Sequence, residues 1–168
     1  LVGSEMCIRD RLLEGQIYES NSFGIASLIQ KIGGEPVRFD VVQDSIEGLR
    51  DALNLAASSC DAIITSGGVS MGDYDLVRKI MESEGEIKFW KVLMRPGGPP
   101  LFGKWKNTPI FGLPGNPVSS HVVFTMLVEP WIAYSLQTHA DYGPKLVDKV
   151  SVILQNPLRG APGKICLR

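Results

Sequence analysis

Residues 61–75, DAIITSGGVSMGDYD, constrain this chain more than any other stretch. Ala62-Ile63-Ile64 is a short apolar run with an acid in front and Gly67-Gly68 behind, the pattern of a buried parallel strand that runs into a loop. The loop residues Ser66, Gly67, Gly68, Ser70 and Gly72 are small, so their backbone can approach a ligand closely and offer N–H groups. Asp73 and Asp75 then lead into a predicted helix whose apolar residues Leu76, Val77, Ile80 and Met81 follow the 3.6-residue period. Strand, glycine loop and helix start together make an anion site, because the first helical N–H groups have no partner inside the helix. A plain strand-to-helix turn with solvated acids at the helix start satisfies the same pattern.

The flanking sequence supplies a fold. Residues 1–14 fit neither a signal peptide nor the periodicity that follows; LVGSEMCIRDR resembles a translated adaptor, and this segment is expected to be foreign to the fold. From Gln16 the pattern becomes regular. Ser20 or Asn21 is placed to cap a helix bearing Ile25, Leu28, Ile29 and Ile32, and Gly33-Gly34 ends it. Val37–Val42 reads as a strand, Gln43-Asp44-Ser45 as the turn after it, and Ile46, Leu49, Leu53 and Ala56 or Ala57 as one face of a second helix. Helix, strand, helix, strand, helix implies parallel strands with right-handed crossovers, hence an α/β layered fold.

Beyond Gly85 the rhythm changes. Ile87–Met94 and Leu101–Trp105 are expected as two strands about the rigid turn Arg95-Pro96-Gly97-Gly98-Pro99-Pro100. Pro109–Leu113 is a further buried strand, ending in Pro114-Gly115-Asn116-Pro117. There Asn116 suits an N-cap and Pro117 the first helical position. That helix is expected to run on through Val118, Val122, Met126 and Leu127. Gly143-Pro144 marks a linker within 139–145, and 146–168 alternates like the start of a small β domain that is cut short.

Ligands of open α/β sheets bind beyond the carboxyl ends of the strands. Three predicted loops lie at such ends: Asp44-Ser45, Ser66–Asp75 and Leu113–Pro117, the last continuing to Ser119 in the first helical turn. Backbone cradles combined with Asp44, Asp73 and Asp75 suit a phosphate held with Mg²⁺, a hard cation that takes carboxylate and phosphate oxygens. Lys91 and Arg95, four residues apart, would share one face of a strand and add positive charge for a second anion. Each charge taken alone fits a solvated surface position, so the reading depends on their convergence.

Composition excludes several classes. A formal net charge of −1 gives no electrostatic ground for nucleic acid or an anionic membrane as partner. No run approaches the ~18 apolar residues of a membrane span, since Glu129-Pro130 interrupts the longest. The three cysteines, Cys7, Cys60 and Cys166, are far apart, which argues against a disulfide framework and for a reducing compartment, the cytoplasm.

TSGGVSMGDYD, FWKVLMRPGGPPLFG and FGLPGNPVSS, together with the GQIYESN helix start, resemble the molybdopterin-binding domain of the MoeA/gephyrin-type molybdopterin molybdotransferases. The resemblance covers about residues 15–138 and implies a three-layer α/β/α domain with a mostly parallel sheet, followed by a small β domain. It implies a reaction in which adenylylated molybdopterin and molybdate, with Mg²⁺, give molybdenum cofactor and AMP. Asp44 and Asp75 match family acids that handle metal and substrate, Lys91 a basic residue at the molybdate site, and Arg95 a position where many members carry Lys. Gly98 stands where members often have a further Lys, and Arg168 matches a basic residue of the β domain. The resemblance also implies a homodimer in a longer protein, of which this chain is expected to be a fragment. Molybdopterin adenylyltransferase and molybdoenzymes are the implied protein partners. Two rival readings share the fold: the adenylyltransferase itself, whose glycine loop reads TGGTG, and a non-catalytic scaffold.

Overall fold

The structure is a computed structural model that describes residues 20–39, 42, 45–69, 75–136, 151, 153 and 160–167, with the backbone alone of 4–5 and 17–18. The elements are β1 (Ser4–Glu5), β2 (Ile17–Tyr18), α1 (Asn21–Lys31), α2 (Ile46–Ser59), β3 (Ile63–Ser66), α3 (Leu76–Ser83) and β4 (Glu86–Trp90). There follow β5 (Met94–Arg95), β6 (Leu101–Trp105), β7 (Thr108–Leu113), α4 (Pro117–Val123), a π-helical turn (Phe124–Val128), α5 (Glu129–Ser135) and β8 (Ile165–Cys166).

A four-stranded sheet in the order β3-β7-β6-β4 forms the middle layer. Its side chains alternate between two cores, as the two-residue strand period requires. Ile63, Leu101 and Ile110 join the core covered by α2 and α3, through Leu49, Leu53 and Ala56 on one helix and Val77, Ile80 and Met81 on the other. The neighbouring residues Ile64, Phe102 and Phe111 join the opposite core, covered by Ile25 of α1 and by Val123, Phe124 and Val128 of the later helical run. This is the three-layer α/β/α arrangement expected from the sequence. The second face carries an aromatic row, Phe89, Phe102, Phe111 and Trp131, with successive ring centroids 5.6, 4.7 and 5.3 Å apart.

Several local expectations are corrected. A mostly parallel sheet does not describe these four strands: β3–β7 is parallel, whereas β7–β6 and β6–β4 are antiparallel. The two-residue turn Lys106-Asn107 joins β6 directly to β7, a link that only antiparallel neighbours can use. Val37–Val42 is not a strand over its described residues. Residues 34–39 carry no ladder, Val37 is 60% exposed, and Arg38 instead lays its guanidinium 3.5 Å from the Phe23 ring centroid. The strand expected at Ile87–Met94 ends at Trp90, because Lys91 adopts a left-handed backbone (φ 70°) that breaks the pleat; Met94–Arg95 pairs separately with β8.

The last long helix runs through Val118, Val122, Met126 and Leu127 as expected, but it is not a regular α-helix throughout. Its buried residues are Ser120, Val123, Phe124 and Val128, while Val118 and Met126 are 64% and 48% exposed. The π turn interrupts the regular α ladder, and Val123, Phe124 and Val128 around it are buried in the second core. The same turn precedes Pro130, whose missing N–H would interrupt an ordinary α ladder, and the helix continues to Ser135. Among the described residues no helix is long and apolar enough to cross a membrane.

Candidate functional site

The parallel register of β3 and β7 aligns Ser66 with Leu113, so both strands stop at the same level of the sheet. The glycine loop and the LPGNP turn therefore leave side by side, at the carboxyl edge where such folds hold ligands. The Gly67 N–H donates to the Leu113 carbonyl at 2.8 Å and ties the two exits together. That proton is thus committed to the fold and is not offered to a ligand, unlike the cradle expected from sequence.

Gly67 and Gly68 both have positive φ, 90° and 69°. A β-carbon at Gly68 would also stand 2.9 Å from Val77 Cγ2, so only glycine lets the loop pass α3 this closely. Val69 is 1% exposed and packs where a side chain at Gly112 would be, 2.5 Å from that position. Its carbonyl accepts a hydrogen bond from Trp90 Nε1 at 2.9 Å. The Arg78 N–H donates to the Gly68 carbonyl at 3.1 Å. The visible part of the loop is therefore fixed from three sides.

Asp75 occupies the N-cap position of α3, its side chain making no capping hydrogen bond. Across the edge, Asn116 caps α4 by accepting from the Ser119 N–H at 3.2 Å, with Pro117 at the helix start, as the sequence predicts. The buried Ser120 hydroxyl donates to the Pro114 carbonyl and holds the turn from beneath. Asp44, Ser70, Gly72 and Asp73 lie outside the described residues, as does Arg168.

The structure brings Lys91 to this edge by an indirect route: its Nζ lies 4.0 Å from the Trp90 ring centroid, and Trp90 is the residue that holds the Val69 carbonyl. Arg78 stacks on the same ring, at 4.4 Å. Arg95 is placed differently. The expectation that Lys91 and Arg95 share one strand face fails, since Lys91 lies beyond β4 and Arg95 belongs to β5 beside Cys166. Arg95 lines a cavity of about 600 Å³ with Pro96, Cys166, Leu167 and the turn at 160–162. Its turn still packs against α4, for a β-carbon at Gly97 (φ 94°) would meet Val123 Cγ2 at 2.7 Å.

Two residues of the edge escaped the sequence reading. Trp90 lies in the motif stretch FWKVLMRPGGPPLFG, but its role is a tertiary contact 21 residues away that no local pattern indicates. Asn21 is a possible cap and the last residue of the GQIYESN stretch, neither of which indicates a contact across the edge. Ser20 holds the N-cap position without a side-chain bond, and the Asn21 amide reaches outward, donating from Nδ2 to Ser66 Oγ at 2.7 Å and to the Gly115 carbonyl at 2.8 Å. The signal available was the adjacent pair Ser20-Asn21, two cap-type residues where a helix needs one.

Among the described residues no group of three His, Cys, Asp or Glu side chains is placed to hold a metal. The donor type of Asp75 fits Mg²⁺, and the remaining acids of the expected set, Asp44 and Asp73, fall outside the described part.

Comparison with known proteins agrees with this geometry. The chain is 42% identical over 122 residues to a molybdopterin molybdenumtransferase of Haemophilus influenzae, covering 73% of this chain and 30% of the relative. It is 39% identical over 135 residues to the protein of the same name from a Nostoc species, covering 77% and 31%. The crystal structure of a molybdopterin biosynthesis moea protein from Pyrococcus horikosii superposes with a TM-score of 0.70 at 33% identity, covering 79% of this chain and 32% of that one. The chain thus spans about a third of the length of these relatives. The family model described as "Probable molybdopterin binding domain" matches residues 4–134, and this chain belongs to that family.

Proposed function

We propose that this chain supplies the pterin-binding part of a molybdopterin molybdenumtransferase, the activity named for its Haemophilus and Nostoc relatives. The substrate would be adenylylated molybdopterin, and the products molybdenum cofactor and AMP. The observation that carries the reading is the convergence of three motif stretches, at Asn21, Ser66–Val69 and Pro114–Ser119, on one sheet edge.

In this reading the glycine loop, including Ser70 and Gly72, and the LPGNP helix start hold the pterin phosphate and the nucleotide phosphate. Lys91, propped on Trp90, supplies a positive charge for molybdate, the second substrate. Arg95 approaches the site from the turn that packs on α4. Asp44, Asp73 and Asp75 would hold Mg²⁺, which when bound supplies charge neutralisation at the phosphoanhydride. The reaction needs no protein nucleophile: water opens the P–O–P link and AMP departs, and the two dithiolene sulfurs bind molybdenum as one molybdate oxygen leaves as water with the two thiol protons. The proposed setting is a cytoplasmic homodimer of a longer protein in which 15–138 is the α/β domain, 139–145 a linker and 146–168 the start of a β domain.

Titration of the folded chain with molybdopterin and with adenylylated molybdopterin, with and without Mg²⁺, tests this. Tighter and Mg²⁺-dependent binding of the adenylylated form is expected, and Asp75→Ala should remove the Mg²⁺ dependence. Equal binding of both forms without Mg²⁺ would favour an adenylyltransferase. No binding by a chain with a cooperative melt would favour a scaffold role.

A further inference from the structure

Asn21 joins the two loops in one way only. The Gly115 carbonyl can accept and not donate, so the amide atom facing it must be Nδ2, which fixes the orientation of the whole group. Nδ2 carries two protons, and the second goes to Ser66 Oγ. Ser66 therefore accepts from Asn21, and its single hydroxyl proton points elsewhere. Ser66 is exposed, at the last residue of β3, on the edge where the candidate ligand sits. At the same time the Gly115 carbonyl, whose lone pair would repel an anion, is turned onto Asn21. The partner amide oxygen Oδ1 is buried and has no hydrogen-bond partner among the described residues, a cost that the fold bears to keep the amide in this orientation.

We propose that Asn21 is a positioning residue that locks the glycine loop to the LPGNP turn and presents the Ser66 hydroxyl as a donor to a phosphate oxygen of the bound ligand. This deepens the proposed function and rests on it for the identity of the ligand. The clamp itself rests only on the geometry.

The test uses the chain with Asn21→Ala, Asn21→Asp, Ser66→Ala and the Asn21→Asp/Ser66→Ala double variant. Asn21→Asp keeps the shape but sets a carboxylate oxygen against the Gly115 carbonyl and draws the Ser66 proton inward. Its affinity for adenylylated molybdopterin should fall about tenfold or more, as expected for a lost hydrogen bond to a charged group. In the Ser66→Ala background the same change should cost clearly less than in the unaltered chain, since the donor it misdirects is already absent and only the contact with the Gly115 carbonyl is left to lose. Additive losses would overturn the proposal, because a merely structural role predicts them. Amide hydrogen exchange provides a ligand-free readout. In Asn21→Ala, exchange should quicken at both Gly67 and Ser119, on the two loops; unchanged exchange at either would overturn the clamp. If the unaltered chain binds no pterin nucleotide, the proposed function fails, and the exchange result alone then decides the clamp.

Discussion

At Gly103 a β-carbon would stand 2.1 Å from the Glu86 carbonyl oxygen, a backbone atom fixed by the β4–β6 ladder. At Gly24 the nearest atom is also close, 2.7 Å, but it is Nε2 of the exposed His121 side chain, which can rotate away. The two glycines look alike in sequence and differ in what they can tolerate. Gly103→Ala should destabilise by on the order of 1–3 kcal/mol, as other forced overpacking does. Gly24→Ala should be neutral or slightly stabilising, since alanine favours a helix by up to about 1 kcal/mol over glycine. Urea unfolding of both variants checks this, and a smaller loss at Gly103 than at Gly24 would reject the argument.

Between elements, α2 is tied to the end of α3 by Arg50, whose Nε and Nη2 donate to the two Glu84 carboxylate oxygens at 2.8 and 2.6 Å. These hydrogen bonds hold the Glu84 pKa below its ordinary value and raise that of Arg50. A depressed carboxylate contributes stability above its unfolded pKa, and that contribution is lost as pH falls through the folded value. Glu84→Gln should therefore lower Tm slightly at neutral pH, and the difference should shrink once the pH falls below the ordinary glutamate range and vanish only below the depressed value of the folded state. Because the pair is solvent-exposed, the difference should also shrink in high salt. The helix start at Asn116 belongs to the same scale. Asn116→Ala removes the bond to the Ser119 N–H and should cost about 1 kcal/mol by thermal melting, whatever the ligand does.

For the molecule as a whole, the strands of the sheet link the two cores, and β7 shows it best. Ile110 is fully buried against α2 and α3, and its neighbour Phe111 is 4% exposed and packs against the opposite helices. The sheet is thus the shared wall of both layers, and the layers should melt together. Ile110→Ala should cost about 2–5 kcal/mol and Phe111→Ala about 3–5 kcal/mol. Each should lower a single cooperative transition as followed by calorimetry. Two separable transitions in either variant would show that the faces fold independently.

The sequence by itself determined the elements whose signals are local. Periodicity placed α2 and α3 and their inward residues, the apolar run placed β3, and Asn-Pro placed the start of α4 with its cap. It also made the family recognisable, since the motifs lie in loops whose glycines and prolines are dictated by backbone shape. What the tertiary structure decided depends on atoms distant in the chain. The direction of β6 against β7, the missing ladder at 34–39, the separation of Arg95 from Lys91 and the π turn before Pro130 each follow from pairing or packing that no local window contains. Asn21 is the clearest case. Its residue type suits a helix cap, and only the alignment of β3 with β7 brings Ser66 and Gly115 within reach of one amide.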